Sequence, residues 1–359
     1  MESNGWPEPL ILISSVKTVK NKAIILILIL LLVAAFILAV NTGAVPVSPW
    51  ALFQLLFNKI GFKSIALPSQ QDLTIILYIR LPRVVAALLV GASLSVCGVA
   101  MQGLFRNPMA SPDILGITAG SSLGAVIAIN LGLYALNIYF LPLLTIGGAL
   151  LSSGLIYIIA SYRGRTALLF VVLAGLAISS LFNGLISAIL LFSRRYEVSQ
   201  FIFWTMGGFD GRMWKHITLP LPFLAPAIVL LFFFTRELNL LSLGEEQAHS
   251  LGLAVERNKR LILGTSAVVT GMAISIGGPV GFVGLLMPHL FRLLVGPDHR
   301  ILMPAAALGG SLLLILADLI GRIIAPPFEI RVGIITALLG SPYFLYLILH
   351  YQRKGLDSR

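Results

Sequence analysis

No Gly-Lys dipeptide occurs in this chain, so the phosphate-cradling loop that ends in that pair cannot be built from it, and any ATP-driven step needs another polypeptide. One cysteine, Cys97, lies between Val96 and Gly98 in an apolar run. This excludes an intrachain disulfide, and Cys97 reads as a small packing residue. The five histidines, His216, His249, His289, His299 and His350, form no i,i+4 pair and no HExxH arrangement, so no metal-ligand set is expected. Gly120-Ser121-Ser122-Leu123-Gly124 has the G-x-S-x-G spacing, but it sits inside an apolar run with no preceding strand and no activating histidine and acid. Close helix packing accounts for it, and no catalytic residue is assigned. Carboxylates are scarce, 14 in 359 residues, and Asp318 is the only one well inside an apolar run, with Arg322 four residues on at same-face spacing. Such a shortage of buried ionisable relays weighs against a proton-coupled carrier.

What the chain has in abundance is apolar length. It is 58% hydrophobic and 11% charged with mean hydropathy +0.97, against about 25% charged for soluble proteins. The reading is an all-α integral membrane protein. A net charge of +11 does not indicate nucleic acid, because the basic residues punctuate the ends of apolar segments, where lipid headgroups and topology signals place them. Ten spans are expected: Ala23–Val40, Val84–Phe105, Ile114–Leu133, Ile138–Ser161, Ala167–Phe192, His216–Thr235, Leu261–Ile276, Val280–Val295, Leu302–Ile324 and Val332–Leu349. As one helix, Leu261 to Val295 would be about 50 Å long and overshoot a ~30 Å hydrocarbon core, so Gly277-Gly278-Pro279 is read as a break. The first run is too long for a signal-peptide core. The organisation expected is a polar lead over residues 1–22, one transmembrane domain over 23–351 and a short tail over 352–359. With both termini cytoplasmic, fifteen of the 25 lysines and arginines fall on the inner side.

Glycines replace charges inside the spans. Gly116, Gly120 and Gly124 are read as one close-packing face, and Gly277, Gly281 and Gly284 as another. Ser111-Pro112-Asp113 reads as an N-cap, a first-position proline and a first-turn acid for the third span. The polar stretch 236–260 carries Glu245, Glu246 and Glu256. Gly244 can open a short helix there, the two glutamates fall in its first turn, and Gly252 suits the position after it, with Ala248 and Leu251 on one side. It is either a solvated loop or a helical handle that receives force from a soluble partner. On the opposite side, Arg80-Leu-Pro-Arg83 is read as opening the second span and Arg322 as closing the ninth; they bind lipid phosphate or the carboxylates of a docking protein. Phe201, Phe203, Trp204, Phe209 and Trp214 either line a vestibule or anchor the chain at the interface.

Taken together, several stretches resemble the FecCD/BtuC-like permease subunits of binding-protein-dependent ABC importers for iron-siderophores, haem and vitamin B12. They are Arg80-Leu-Pro-Arg83, Leu89-Val-Gly-Ala-Ser93, Met101-Gln-Gly-Leu-Phe-Arg-Asn-Pro108, Asp113-Ile-Leu-Gly116 with Ala119-Gly120, and Leu243-Gly-Glu-Glu-Gln-Ala248 with Leu251-Gly252. Further on come Gly278-Pro-Val-Gly-Phe-Val-Gly284, Pro288-His-Leu290, Gly296-Pro-Asp-His299 and Gly340-Ser-Pro342. The similarity runs from about Leu77 to Leu349. It implies a BtuC-like type II importer permease, paired with a second copy of itself or a close paralogue, with two ABC ATPase subunits that hold ATP and Mg, and with an extracytoplasmic binding protein. This chain would have no cofactor and no enzymatic activity of its own, and would sit in the plasma (inner) membrane of a bacterium or archaeon. By position, Gly244, Glu245, Glu246, Gln247, Ala248, Leu251 and Gly252 resemble the ATPase-coupling helix. Arg80, Arg83 and Arg322 resemble the docking arginines, and Asn107, Pro108 and Met109 fall where the family places a cytoplasmic gate. Arg331 departs from the pattern, which has proline there. Iron-siderophore is the first cargo implied, then haem or cobalamin; an ion-coupled carrier and a membrane-embedded enzyme are the alternatives.

Overall fold

The computed structural model describes residues 8–43, 45–60, 68–113, 115–162, 165–166, 168–325 and 327–357; the first seven residues of the expected lead and the last two of the tail lie outside them. The chain is all-helical apart from a ribbon of two-residue strands, Ser161–Tyr162 and Arg165–Thr166. Helix α1 (Glu8–Asn41) precedes α2 (Ala51–Ile60) and a continuous rod made of α3 (Gln70–Thr74), a π-helical turn (Ile75–Arg80) and α4 (Leu81–Leu104). There follow α5 (Ile117–Asn130), the short α6 (Leu133–Leu136), α7 (Phe140–Ala160), α8 (Leu168–Leu191), α9 (Arg195–Thr205), α10 (Trp214–Thr218), α11 (Leu221–Phe233), α12 (Thr235–Ser242) and α13 (Glu245–Ser250). The chain closes with α14 (Val255–Gly277), α15 (Val283–Val295), α16 (His299–Ile323) and α17 (Val332–Asp357). Among the described residues, six helices are long and apolar enough to cross a membrane, α11 and α12, bent by 45°, make a seventh when the pair is counted as one span, and with three shorter apolar helices the number fits the ten expected.

Helix α4 is the axis of the fold, packed by α16, α14 and α15, while α5 and α7 form a second tight pair that α14 joins to the first. Small residues set these distances. A Cβ on Gly91 would strike the carbonyl of Gly310, one on Gly98 that of Gly284, one on Gly120 that of Gly148 and one on Gly124 that of Leu144. In lipid, where the hydrophobic effect does not drive helices together, this backbone proximity and its dispersion contacts do.

Several boundaries move. The second span begins at Gln70, not Val84, because Pro82 has no N–H to donate to its preceding turn. The ladder accommodates it by opening into the π turn, where Leu81 N–H reaches the Ile76 carbonyl. Arg80 and Arg83 therefore lie well inside a helix and do not open it. The third span begins at Ile117 behind Gly116, which is left-handed (φ 77°). Ser111-Pro112-Asp113 forms a turn ahead of it, so Ser111 is not its N-cap. Gly277 ends α14, Gly281 lies in the break and Gly284 is in α15, so they do not share one helix face. Within 236–260 there are two short helices and the first turns of α14, which starts at Val255 and not Leu261.

Candidate functional site

The break between α14 and α15 is where the geometry concentrates. Gly278 takes φ 69° and ψ −177°, a conformation natural only to glycine, and a Cβ there would sit 2.5 Å from the Trp204 carbonyl. The end of α14 is capped from outside: Gly208 N–H donates to the Gly277 carbonyl at 2.7 Å. Phe282 then takes a left-handed φ of 68°, strained for a side chain of this size and costing about 1–3 kcal/mol. The Asp113 carboxylate accepts a hydrogen bond from the Thr118 hydroxyl and lies beside the backbone N–H of Phe282, so the start of α5 abuts this turn. Two cavities of about 510 Å³ each flank it. One is lined by Thr205, Met206, Gly333, Ala337 and Ser341; the other by Asp113, Thr118, Ser179, Asn183 and Phe344; Pro279 and Gly281 line both. Among the described residues, Asp113 is the only ionisable one lining either, so both chambers are poor in charge.

The segment 244–252 is a short helix with complete ends. Gly244 precedes it at φ 121°, and a Cβ there would meet the Gln247 side chain. Its far end is a Schellman turn: Gly252 (φ 84°) donates to the His249 carbonyl at 2.9 Å and Leu253 to that of Ala248 at 3.0 Å. Ala248 is fully buried, whereas Leu251 is exposed, so the two do not share a side. Glu246 and Gln247 face outward. Glu245 has an inward partner that the sequence did not single out: Lys259, 5% exposed, bonds its carboxylate at 2.7 Å and that of Glu256 at 3.0 Å. Glu256 also accepts from the Tyr157 hydroxyl at 3.0 Å, so the handle is fastened to α14 and through it to α7. The i,i+3 spacing of Glu256 and Lys259 was readable; the Glu245 contact crosses a turn and was not.

Asn107, Pro108 and Met109 form a compact, half-buried turn after α4. The Asn107 side-chain oxygen accepts from Met109 N–H at 2.9 Å, and its own N–H reaches the Gln102 carbonyl at 3.2 Å. Arg106, at φ 49°, places Nη1 3.6 Å from where a Cβ on Gly244 would be, so this turn abuts the start of the handle. Gln102 bridges to α15, donating to the Leu285 carbonyl at 3.2 Å and accepting from Arg292 at 3.1 Å.

On the opposite side the three arginines are buried within this chain. Arg80, Arg83 and Arg322 are 4%, 8% and 6% exposed, and they serve the chain's own groups. Arg80 donates to the carbonyls of Val40, Asn41 and Val45, and Arg322 to those of Ala39 and Thr42. Arg83 and Arg322 share Asp318, at 2.9 and 3.2 Å, and Arg83 also holds Glu329 at 2.8 Å. As single-chain geometry these are buried clamps and not open forks. The expected outer aromatic cluster also divides: Phe201 and Phe209 are core, Trp214 is exposed with its indole N–H on the Leu77 carbonyl, and Phe203 and Trp204 line a smaller outer cavity.

The FecCD transport family model matches residues 30–350, nearly the whole chain. The chain belongs to that family. Among relatives of this FecCD permease, the cobalamin import system permease protein BtuC of Halobacterium salinarum is 42% identical over 77% of this chain and 74% of its own length. The hemin transport system permease protein HmuU of Yersinia pestis is 38% identical over 91% and 96%. A solved structure described as an inward-facing conformation of a metal-chelate type ABC transporter superposes with a TM-score of 0.77 at 31% identity, over 92% of this chain and 99% of that one.

Proposed function

We propose that this chain is the membrane-spanning permease of an ATP-driven importer, passing a metal chelate inward through two charge-poor chambers that share the Gly278–Phe282 wall. Iron-siderophore is the first choice of cargo, with haem and cobalamin behind it. The observation that carries the reading is that shared wall: a strained turn between two cavities, lying against the start of α5, is a natural gate. Family membership supports the importer class, and the absence of a phosphate loop from this sequence is in keeping with hydrolysis by partners.

In this reading two ABC ATPase subunits, which hold ATP and Mg, grip the Glu245–Ser250 helix in the cytoplasm, where both termini also lie. Lys259 carries the handle's displacement into α14, whose far end is the gate wall. Asn107, Pro108 and Met109, resting against the handle, close the inner exit. A second copy or a close paralogue completes the path, and the exposed apolar faces of α8 and α17 offer it surface. An extracytoplasmic binding protein delivers cargo, and Arg80, Arg83 and Arg322 shape the rim it meets from beneath. The setting is the plasma membrane of a bacterium or archaeon.

Vesicles containing the chain with its co-purified ATPase and the cognate binding protein should accumulate one of labelled ferric siderophore, haem or cobalamin when ATP is supplied to the ATPase side. Accumulation that instead follows a proton gradient, with no ATPase in the purified complex, would overturn the reading.

A further inference from the structure

Beside the chamber lined by Thr205, Met206 and Gly333 lies a cavity of about 180 Å³, lined among others by Tyr134, Phe203, Trp204, Asp210, Arg212 and Arg331. Its charges are two guanidiniums against one carboxylate. Arg331 uses Asp210 at 3.5 Å and stacks over the Phe203 ring at 5.7 Å. Asp210, half exposed, also lies 3.9 Å from Arg83, so its charge is divided. Arg212 has no ion-pair partner within 4 Å among the described residues, and its Nε is buried without a hydrogen-bond acceptor. The indole N–H of Trp204 is likewise buried and unaccepted. Arg212 Nε and Trp204 Nε1, on two side chains that line this small cavity, are thus buried without an acceptor, and buried donors are rarely left so. Burial of Arg212, with Arg331 close by, makes its charge costly until an anion arrives.

We infer that this cavity is an anion subsite that takes a carboxylate arm of the cargo chelate, with Arg212 and Arg331 supplying charge, Trp204 a donor and Phe203 an apolar wall. The volume is well below the roughly 300–1,000 Å³ of a whole-ligand pocket, so it fits one arm. It adjoins the route: Trp204 precedes Thr205 and Met206, and Arg331 stands two residues before Gly333, and Thr205, Met206 and Gly333 line the neighbouring chamber. That continuity favours cargo over a side chain of the binding protein as the source of the carboxylate. Arg331, which lines the cavity and is only loosely held by Asp210, is the residue that would make this permease selective for acidic chelates.

The inference rests on the transport reading but is tested apart from it, by equilibrium binding of radiolabelled citrate and ferric citrate to the full-length permease in lipid nanodiscs without ATPase. Saturable binding is expected, weakened at least about tenfold in Arg212→Gln and in Arg331→Gln, since each loses a charge-assisted hydrogen bond. Arg212→Lys should retain part of it, and Trp204→Phe, which keeps the ring and removes the donor, should weaken it less. A neutral ferric trihydroxamate should bind equally to all variants. Absence of saturable citrate binding, equal losses for both chelates, or variants that change only the affinity for the docked binding protein would each overturn the inference. Failure of ATP-driven uptake in vesicles, with citrate binding intact, would sink the transport reading alone.

Discussion

Asp318 offers the sharpest test of how this fold is held together. It is 1% exposed and accepts from Arg83 Nε at 2.9 and 3.0 Å, with Arg322 Nε at 3.2 Å from its second oxygen. Asp318→Asn keeps the shape and removes the charge, leaving Arg83 with the half-exposed Glu329 and Arg322 with three backbone carbonyls, that of residue 318 among them. Removing one partner of a buried ion pair costs about 3–5 kcal/mol, and the residual partners put this case near the lower end, about 3 kcal/mol. That is roughly a hundredfold in the folding equilibrium. Cys97, the only cysteine and fully buried, supplies the assay, because a maleimide dye reaches it only as the helices around α4 part. Detergent-solubilised Asp318→Asn should label at a clearly lower temperature than wild type. Asp318→Leu combined with Arg83→Met and Arg322→Met should recover much of the loss, since the penalty lies in the uncompensated cations. Coincident labelling curves for wild type and Asp318→Asn would show that the cluster contributes nothing to stability.

Further outcomes follow from the same geometry. Lys259→Met should loosen the handle by about 1–2 kcal/mol, discounted because Glu245 and Glu256 are partly exposed, and should cut transport more than ATPase assembly; unchanged uptake per bound ATPase removes its transmitting role. Glu246→Lys, on the outward side, should impair ATPase coupling while leaving the labelling temperature of Cys97 unchanged, whereas Glu245→Lys, set against buried Lys259, should lower both. Gly120→Val would drive a side chain into the Gly148 carbonyl and Ser152, costing about 1–3 kcal/mol or more; wild-type stability would show that α5 and α7 are not in backbone contact. His216, on short α10 ahead of the span α11, has its pKa lowered to about 4, first by burial and then by Arg212 and Lys215. The unfolded chain, with an ordinary histidine near 6.5, binds its proton first, so stability should fall as pH drops from about 6.5 towards 4. His216→Asn should flatten that slope; an unchanged slope assigns it elsewhere.

The class and span count were legible because apolar length and glycine spacing are local, and the Gly277-Gly278-Pro279 break announces itself in three letters. The ends of the handle were readable for the same reason, since Gly244 and Gly252 each stand where only positive φ fits. What escaped was every contact made across the chain. Arg83 and Asp318 are 235 residues apart, so nothing near Arg83 revealed that its charge was already claimed. Lys259 looked like one more basic residue at a helix start until the turn at Gly252 folded Glu245 back onto it. The second span was placed too late because Tyr78 to Arg83 reads as a polar boundary, while Pro82 in fact distorts a helix that continues through it.

Backbone contact at Gly91 and Gly310 leaves α4 and α16 no clearance to slide past one another by a turn. On the transport function proposed above, that pair is the stator. Alternation then falls to whatever pivots against it, and the hinge nearest to hand is the glycine-proline corner at residues 278 and 279.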